Sequence, residues 1–414
     1  MMRPQTKEPV LRLPKDALRM TRFASRRGRR FHPSKPGGTT SWCCAIVIFV
    51  LAGIQPLHFH AGAAEPDAAG ESGNANSSAI LRPAAAPLKH FSGVTCARFS
   101  PDGRRFLTTS LDNGARLWDT ATAKLLTDLS EHDDRVLYAE FSPDGRRFVT
   151  ASADNTARVW SAENGDWITG PMQHSADVLL ACFSPDGRTI ATISNDKSAR
   201  IWNSTNGEPI SPSLLHPERV TQAAFRPDGK TLVTITENGT ARSWSVPSGE
   251  ALGLPLSSSI DKGPAELSPD GRMALSLDRN NHSRLVNLVE RRVSAELTDA
   301  TNTVLVRFSR DGRHVLTVQD SGIERIWDVA RGNGITVTVT QMKGVTSAAF
   351  SRDGRWVAVG HKSGELRIRS VRGRDGESAG QHTNAIVWVE FSPDGKSLVT
   401  GSLDGTAILW RILR

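Results

Sequence analysis

The sequence lacks the motifs from which metal sites and phosphate-binding sites are usually built. Eight of its 11 histidines either lie in the first 63 residues or recur at one fixed period, which leaves His282, His314 and His361. These three are far apart and do not have metal-ligand spacing. The glycines occur in short turn sequences such as SPDG, and we find no glycine-rich phosphate loop. We therefore predict neither a metal site nor a cofactor.

The main part of the chain also lacks net charge. The formal charge is +8, but 11 of the 51 basic and 2 of the 43 acidic residues lie in residues 1–63. Residues 64–414 therefore hold 40 basic and 41 acidic residues. Their surface offers no overall positive field to a polyanion. This balance argues against nucleic acid as a partner.

A long hydrophobic run is missing as well. The longest one, residues 42–54 (WCCAIVIFVLAGI), follows a basic segment and precedes Ala61-Gly62-Ala63. This order is typical of a secretory signal peptide that ends in a cleavage site. We predict a signal peptide over residues 1–63. An uncleaved membrane anchor is the alternative, although a spanning helix needs about 20 apolar residues.

The location of the protein follows from this N-terminal segment. We expect an exported protein that is periplasmic, secreted or tethered to the membrane by an uncleaved N-terminal segment, and only that segment would contact a membrane. Residues 64–78 (AEPDAAGESGNANSS) are small, polar and aperiodic, which favours a flexible linker. Everything after them is patterned.

One octapeptide, FSPDGRRF, occurs at residues 99–106 and again at residues 141–148. Its first aromatic residue marks a unit that recurs eight times, in steps of 41 or 42 residues. The eight positions are Phe99, Phe141, Phe183, Phe225, Leu267, Phe308, Phe350 and Phe391. Nineteen residues after them stand Trp118, Trp160, Trp202, Trp244, Val286, Trp327, Arg369 and Trp410. Eight such units fill residues 79–414.

Each unit predicts four short strands. A strand such as 136–141 (VLYAEF) leads into Ser-Pro-Asp-Gly, in which proline and aspartate suit the turn positions and glycine accepts a positive φ. Two further strands and a fourth segment follow. A β-propeller blade has four antiparallel strands and takes up about 40–45 residues, which is the pattern seen here. We predict an all-β fold, a single eight-bladed β-propeller of four-stranded antiparallel blades over residues 79–414.

The two ends of the chain are predicted to close this ring. The last strand, residues 406–410, is only the third of its blade, and residues 79–88 stand where a further strand would be. We expect residues 79–88 to complete blade 8 and so to remove the open sheet edges. Cys96 and Cys182 would lie in non-adjacent blades, too far apart for a disulfide, which needs Cα atoms within about 7 Å.

These motifs resemble the WD40 repeat family across residues 79–414. The resemblance rests on FSPDG, on the run S-x-D-x-(G/T)-A-R-x-W, and on a histidine 20 residues before the serine. It implies a buried, hydrogen-bonded tetrad of histidine, hydroxyl residue, aspartate and tryptophan within a blade. The tetrads are His90, Ser110, Asp112 and Trp118; His132, Ser152, Asp154 and Trp160; His174, Ser194, Asp196 and Trp202; and His382, Ser402, Asp404 and Trp410. Blade 4 has a partial version that contains Asn238.

Blades 5, 6 and 7 depart from the pattern. Val286 and Arg369 stand where tryptophan is expected in blades 5 and 7. Two interpretations remain open at this point. These blades either tolerate the loss of the tetrad, or their irregular loops form a partner-binding site.

The serine, histidine and aspartate of each tetrad invite comparison with a hydrolase triad. Their repetition in buried strands argues against catalysis, which needs one exposed nucleophile. We predict no catalytic residues and no enzymatic activity. The resemblance implies a protein–protein interaction scaffold, which we expect to be a monomeric propeller with one or more protein partners.

Loops that vary on a repeated frame are the best candidates for partner binding. They precede the first strand of a blade and contain Asp133, Asp134, Arg135, Asp177, Glu218, Arg219 and Asn384. Trp356, which we expect to be exposed, is a further candidate anchor. One alternative is a propeller that binds a small ligand or a glycan in the central channel or on a rim. A less favoured one is an enzyme with its site in blades 5–7.

Overall fold

The computed structural model describes residues 81–256, 266–277, 282–339, 343–371 and 376–413. The predicted signal peptide, residues 1–63, and the predicted linker, residues 64–78, lie outside the described residues. In the ranges that are described, no helix is long and apolar enough to cross a membrane. These ranges consist of strands and turns, and they form an eight-bladed β-propeller of antiparallel blades, as predicted.

The strands are short and follow one another blade by blade. Two strands precede the first blade, β1 (Leu81–Pro83) and β2 (Leu88–Lys89). Blades 1 to 3 contain β3 (Val94–Phe99), β4 (Arg105–Ser110), β5 (Ala115–Asp119), β6 (Leu125–Leu129); β7 (Val136–Phe141), β8 (Arg147–Ser152), β9 (Thr156–Ser161), β10 (Met172–Gln173); and β11 (Val178–Phe183), β12 (Thr189–Ser194), β13 (Ser198–Asn203), β14 (Leu214–Leu215).

Blades 4 to 8 repeat this order with more variation. They contain β15 (Val220–Phe225), β16 (Thr231–Thr236), β17 (Ala241–Ser245); β18 (Glu266–Leu267), β19 (Met273–Leu277), β20 (His282–Asn287), β21 (Arg292–Thr301); β22 (Thr303–Phe308), β23 (His314–Gln319), β24 (Ile323–Asp328), β25 (Asn333–Val339); β26 (Val345–Phe350), β27 (Trp356–His361), β28 (Glu365–Ser370), β29 (Gly376–Gln381); and β30 (Ile386–Phe391), β31 (Ser397–Ser402), β32 (Thr406–Ile412). In blade 4 the outer strand is reduced to two bridges, from Ala251 to Trp244 and from Leu256 to Ala241.

The Ser-Pro-Asp-Gly sequence forms the turn between the first and second strands. In blade 1 the Ser100 hydroxyl donates to the Asp102 carboxylate at 2.6 Å, and the Arg104 N–H donates to the same oxygen at 3.0 Å. Gly103 has a φ of +71°, which glycine adopts without the steric cost that a Cβ would bring. These local contacts explain why the turn recurs with so little change in sequence.

The N-terminal strands complete blade 8, as the sequence predicts. Strand β1 pairs with β32 through Leu81 and Ile412, and β2 pairs with the same strand through Leu88 and Ala407. Leu81 and Leu88 are buried. The ring is therefore closed by two segments from opposite ends of the chain.

The core lies between neighbouring blades. Trp160 of blade 2 is buried against Leu107, Ala115 and Leu117 of blade 1, and Trp118 packs in the same way against blade 8. The first strand of every blade runs from one end of the ring to the other. We call the end that holds the loops before the first strands the loop face, and the end that holds the Ser-Pro-Asp-Gly turns the turn face.

Candidate functional site

A hydrogen-bonded chain of four side chains runs through the regular blades. In blade 2 the Trp160 indole N–H donates to the Thr150 hydroxyl at 2.8 Å, and that hydroxyl contacts His132 Nε2 at 2.7 Å. The other ring nitrogen, Nδ1, lies 2.7 Å from the Asp154 carboxylate. Blades 1, 3 and 8 contain the same chain, with His Nδ1 to Asp distances of 3.2, 2.9 and 3.0 Å.

The hydroxyl in this chain is not the predicted serine. The hydroxyl comes instead from a threonine two residues before each predicted serine. These threonines are Thr108, Thr150, Thr192 and Thr400, and the predicted serines were Ser110, Ser152, Ser194 and Ser402. Ser152 is the last residue of β8 and lies nearer the loop face, where its hydroxyl donates to the Asp134 carbonyl at 2.9 Å and accepts the Asp154 N–H. The serine therefore fastens the loop, and the threonine joins histidine to tryptophan.

The hydrogen bonds of each tetrad all run in one direction, from tryptophan towards aspartate. Tryptophan donates to threonine, threonine donates to His Nε2, and Nδ1–H donates to the carboxylate, which requires a neutral imidazole. Burial lowers the pKa of His90, His174 and His382. In blade 4, where Asn238 replaces the aspartate, His216 Nδ1 donates instead to the Leu214 carbonyl at 2.9 Å. Burial there lowers the pKa of His216 to about 4.

The tetrad aspartates remain ionised. Burial alone would raise the pKa of Asp196, but hydrogen bonds from Ser198, from the Ser175 N–H and from His174 outweigh it and lower the pKa to about 2. The pKa values of Asp112 and Asp154 are held well below the ordinary range in the same way. Asp112, Asp154 and Asp196 are therefore negatively charged at neutral pH.

These chains have the form of structural supports. Ser110, Ser152, Ser194 and Ser402 are fully buried, and the histidines beside them are buried too. Each serine hydroxyl is occupied by a backbone carbonyl, as Ser110 is by Ser92 at 2.9 Å. Within the described residues, no group of three or more metal-binding side chains is arranged around a common point.

The candidate partner-binding residues lie on the loop face, in the loops before the first strands of blades 2, 3, 4 and 8. The structure distributes them around the ring and does not gather them into one cluster. Arg135 contacts Asp134 at 3.1 Å, and Arg219 contacts Glu237 at 3.4 Å. The amide of Asn195 lies 3.4 Å from Asp177. Glu218 is half-buried, and Asp133 and Asn384 are exposed.

The structure adds Phe91, which the sequence analysis missed. Its side chain is 93% exposed, and its N–H donates to the Asp112 carboxylate at 2.8 Å. The guanidinium of Arg116 lies 5.7 Å from the centre of the ring, within the range of a cation–π contact. The sequence does contain a feature that distinguishes this position. The residue after the tetrad histidine is Asp133, Ser175, Pro217 or Thr383 in the other copies, so blade 1 alone places an aromatic residue there.

Comparison with known proteins agrees with this geometry. The family model "WD domain, G-beta repeat" matches residues 86–119, 123–161, 168–203, 336–370 and 378–411. The chain therefore contains WD40 repeats. A solved structure, the crystal structure of the computationally designed Ika8 protein, superposes with a TM-score of 0.67 at 18% identity, and the match covers 78% of this chain and 98% of that one. This likeness shows the fold. No curated protein sequence matches the chain.

The repeats that the family model leaves unmatched belong to blades 4, 5 and 6. Blade 6 nevertheless keeps half of the tetrad, because the Trp327 N–H donates to the Thr317 hydroxyl at 2.8 Å. In blade 5, Val286 is buried in an apolar cluster. Blade 7 matches the family model although Arg369 occupies its tryptophan position.

Trp356 of the WD40 propeller is less exposed than predicted. It is half-buried and packs against the apolar cluster that blades 7 and 8 share. It pairs across the sheet with Ser370 and lines a groove of about 880 Å³ between blades 6 and 7, together with His314. The expectation of an exposed anchor was wrong because the neighbouring blade covers part of the indole.

Proposed function

We propose that this WD40 propeller is a non-enzymatic, exported scaffold that binds one or more proteins on its loop face. The observation that carries the proposal is Phe91, a large aromatic side chain that is almost fully exposed on a rigid base. Aromatic residues with restricted freedom are frequent anchors of protein interfaces, because little entropy is lost when they are covered.

The base beneath Phe91 is well connected. Arg116 is buried and contacts Asp112 at 3.3 Å, Asp128 at 3.1 Å and the Lys89 carbonyl at 3.2 Å. Asp112 in turn belongs to the blade 1 tetrad through His90. The tetrad therefore supports the partner-binding loop and does not take part in chemistry.

The charges of the loop face suit a protein partner. Asp133, Asp134 and Arg135 place both signs of charge within one loop, and the body of the chain has almost no net charge. A mixed surface of this kind favours a protein over nucleic acid.

The buried nucleophiles support the absence of enzymatic activity. The two cysteines of the described residues, Cys96 and Cys182, are free and buried. Burial raises the pKa of Cys96 to about 12 and raises that of Cys182 as well. A thiol in this state is not a nucleophile at neutral pH.

Export and a monomeric state complete the proposal. The N-terminal strands complete blade 8, and the described blades then offer only their outer strands as edges to a second copy. Export rests on the pattern of residues 1–63. It is tested by fractionating cells that make the full chain and by sequencing the N-terminus of the recovered protein. Recovery in the cytoplasm alone would overturn this part.

The scaffold itself is tested by affinity capture from the native cell envelope, with cross-linking to locate the contact. We expect a specific protein that is cross-linked near Phe91 and is lost with Phe91→Ala. Trp167→Ala is the matched control, since Trp167 is 62% exposed on the outer edge of blade 2. Equal loss with both variants, or capture of no specific protein, would contradict the proposal.

A further inference from the structure

Two neighbouring blades differ from the other six at one position of the turn. The residue after the turn serine, or after its equivalent in blade 4, is Pro101, Pro143, Pro185, Pro227, Pro269 and Pro393 in six blades. In blades 6 and 7 it is Arg310 and Arg352. The turn does not depend on this change. Ser309 still donates to Asp311 at 2.6 Å, and Gly312 still has a φ of +69°.

Both arginines line a cavity at the turn-face end of the central channel. The cavity has a volume of about 740 Å³, which lies within the usual range for sites of small organic ligands. Phenylalanines and prolines of the repeated turns form much of its wall, among them Phe99, Phe183 and Pro143. The wall therefore combines apolar side chains with the charged groups of Arg98, Glu140, Arg307 and Glu390, and beside blades 6 and 7 it carries Arg310 and Arg352.

The other charged side chains of the cavity are joined in ion pairs. Arg98 contacts Glu140 at 3.0 Å and Glu390 at 3.3 Å. Arg307 contacts Glu266 at 2.8 Å. Burial raises the pKa of both Glu266 and Glu390, and two carboxylates, those of Glu140 and Glu390, share the single guanidinium of Arg98.

Arg310 and Arg352 are not paired in this way. Neither forms an ion pair or a side-chain hydrogen bond with the described residues. Partial desolvation lowers the pKa of Arg310, Arg352 and Arg98 act in the same direction, and Glu390 and Glu140 oppose them. These four side chains belong to four other blades, which places the Arg310 guanidinium in the channel mouth. Both arginines are exposed and line the same cavity, and an anion that contacts both of them would offset their like charges.

We propose that the turn-face mouth of the channel binds a small organic anion. Its carboxylate or phosphate oxygens contact Arg310 and Arg352, and its apolar part packs on the phenylalanine and proline wall. This site lies at the opposite end of the ring from the loop face, so it goes beyond the scaffold function and is independent of it.

The test uses the purified full chain and four probes, which are phenyl phosphate, benzoate, inorganic phosphate and benzyl alcohol. Phenyl phosphate and benzoate are expected to raise the melting temperature and to bind in calorimetry, and inorganic phosphate is expected to bind more weakly. Benzyl alcohol, which lacks the charge, should not bind. Equal affinity for inorganic phosphate, or equal affinity for benzyl alcohol, would overturn the proposal.

The variants Arg310→Pro and Arg352→Pro restore the residue that the other blades use and are therefore compatible with the turn. Each should weaken the binding of phenyl phosphate by about tenfold or more. Arg313→Ala is the matched control, because Arg313 is an exposed cation of the same turn that lies 3.9 Å from Asp311. Arg310→Gln must give the same loss if a proline variant fails to fold. Unchanged binding by folded Arg310 and Arg352 variants would overturn the proposal.

Discussion

Arg369 of blade 7 forms a buried ion pair with Glu324 of blade 6, with a nitrogen–oxygen distance of 3.0 Å. Arg369 occupies the tryptophan position of its blade. Glu324 occupies a position that is Ala115, Ala157, Ala199, Ala241 or Ala407 in the regular blades. In the regular blades, this alanine packs against the tryptophan of the next blade. Blades 6 and 7 place two opposite charges at the same contact. The substitutions in the irregular arc therefore compensate one another.

Breaking this pair should be costly because the remaining charge would stay buried. We expect Arg369→Leu to lower the free energy of unfolding by about 3–5 kcal/mol, measured by urea denaturation. The double variant Glu324→Ala with Arg369→Trp restores the residues of the regular blades and should recover most of the loss. A double variant that is no more stable than Arg369→Leu would contradict the compensation.

The fold could be predicted from the sequence because its determinants are local and repeated. The turn residues Ser100, Asp102 and Gly103 contact one another within five positions. Counting from the repeated aromatic residue was then enough to number the blades. The closing strands could also be predicted, because blade 8 lacks one strand and residues 79–88 had no other place.

The details of the site could not be predicted in the same way. Thr150 and Ser152 both carry hydroxyls on the same side of β8, and the motif alone does not show which of them lies level with Trp160. The pair of Arg369 and Glu324 joins residues 45 positions apart in different blades. Phe91 directly follows a tetrad histidine, and the sequence around it does not show that its side chain is exposed and lies over Arg116.

The threonine of the tetrad should matter more than the serine. Thr150→Val leaves both His132 Nε2 and the Trp160 indole N–H without a partner in a buried site. We expect a loss of about 2–5 kcal/mol in the free energy of unfolding. Thr150→Ser keeps the hydroxyl and should cost about 1 kcal/mol. Chemical denaturation followed by tryptophan fluorescence measures both. The assignment fails if Ser152→Ala is as destabilising as Thr150→Val.

Stability should fall as the solution is acidified below pH 6.5. A histidine whose pKa is lowered on folding binds a proton more readily in the unfolded state, so protonation favours unfolding. For His216, with a pKa of about 4 in the folded protein, the loss reaches about 2 kcal/mol at pH 5. His90, His174 and His382 act in the same direction. Denaturation midpoints between pH 8 and pH 5 measure the effect, and His216→Gln should flatten the curve. An identical pH dependence in that variant would exclude His216 as a contributor.

Removal of the closing strands should destabilise the whole ring, because blade 8 would lose its outer strand and the two ends of the chain would separate. Deletion of residues 79–89 is expected to lower the melting temperature sharply. The point variants Leu81→Ala and Leu88→Ala should each cost about 2–5 kcal/mol, since both side chains are buried. Arg82→Ala is the matched control, because Arg82 lies in the same strand and is exposed. Calorimetry compares the four proteins with the intact chain. If the deletion melts at the temperature of the intact chain, the pairing of β1 and β2 with β32 does not hold the ring closed.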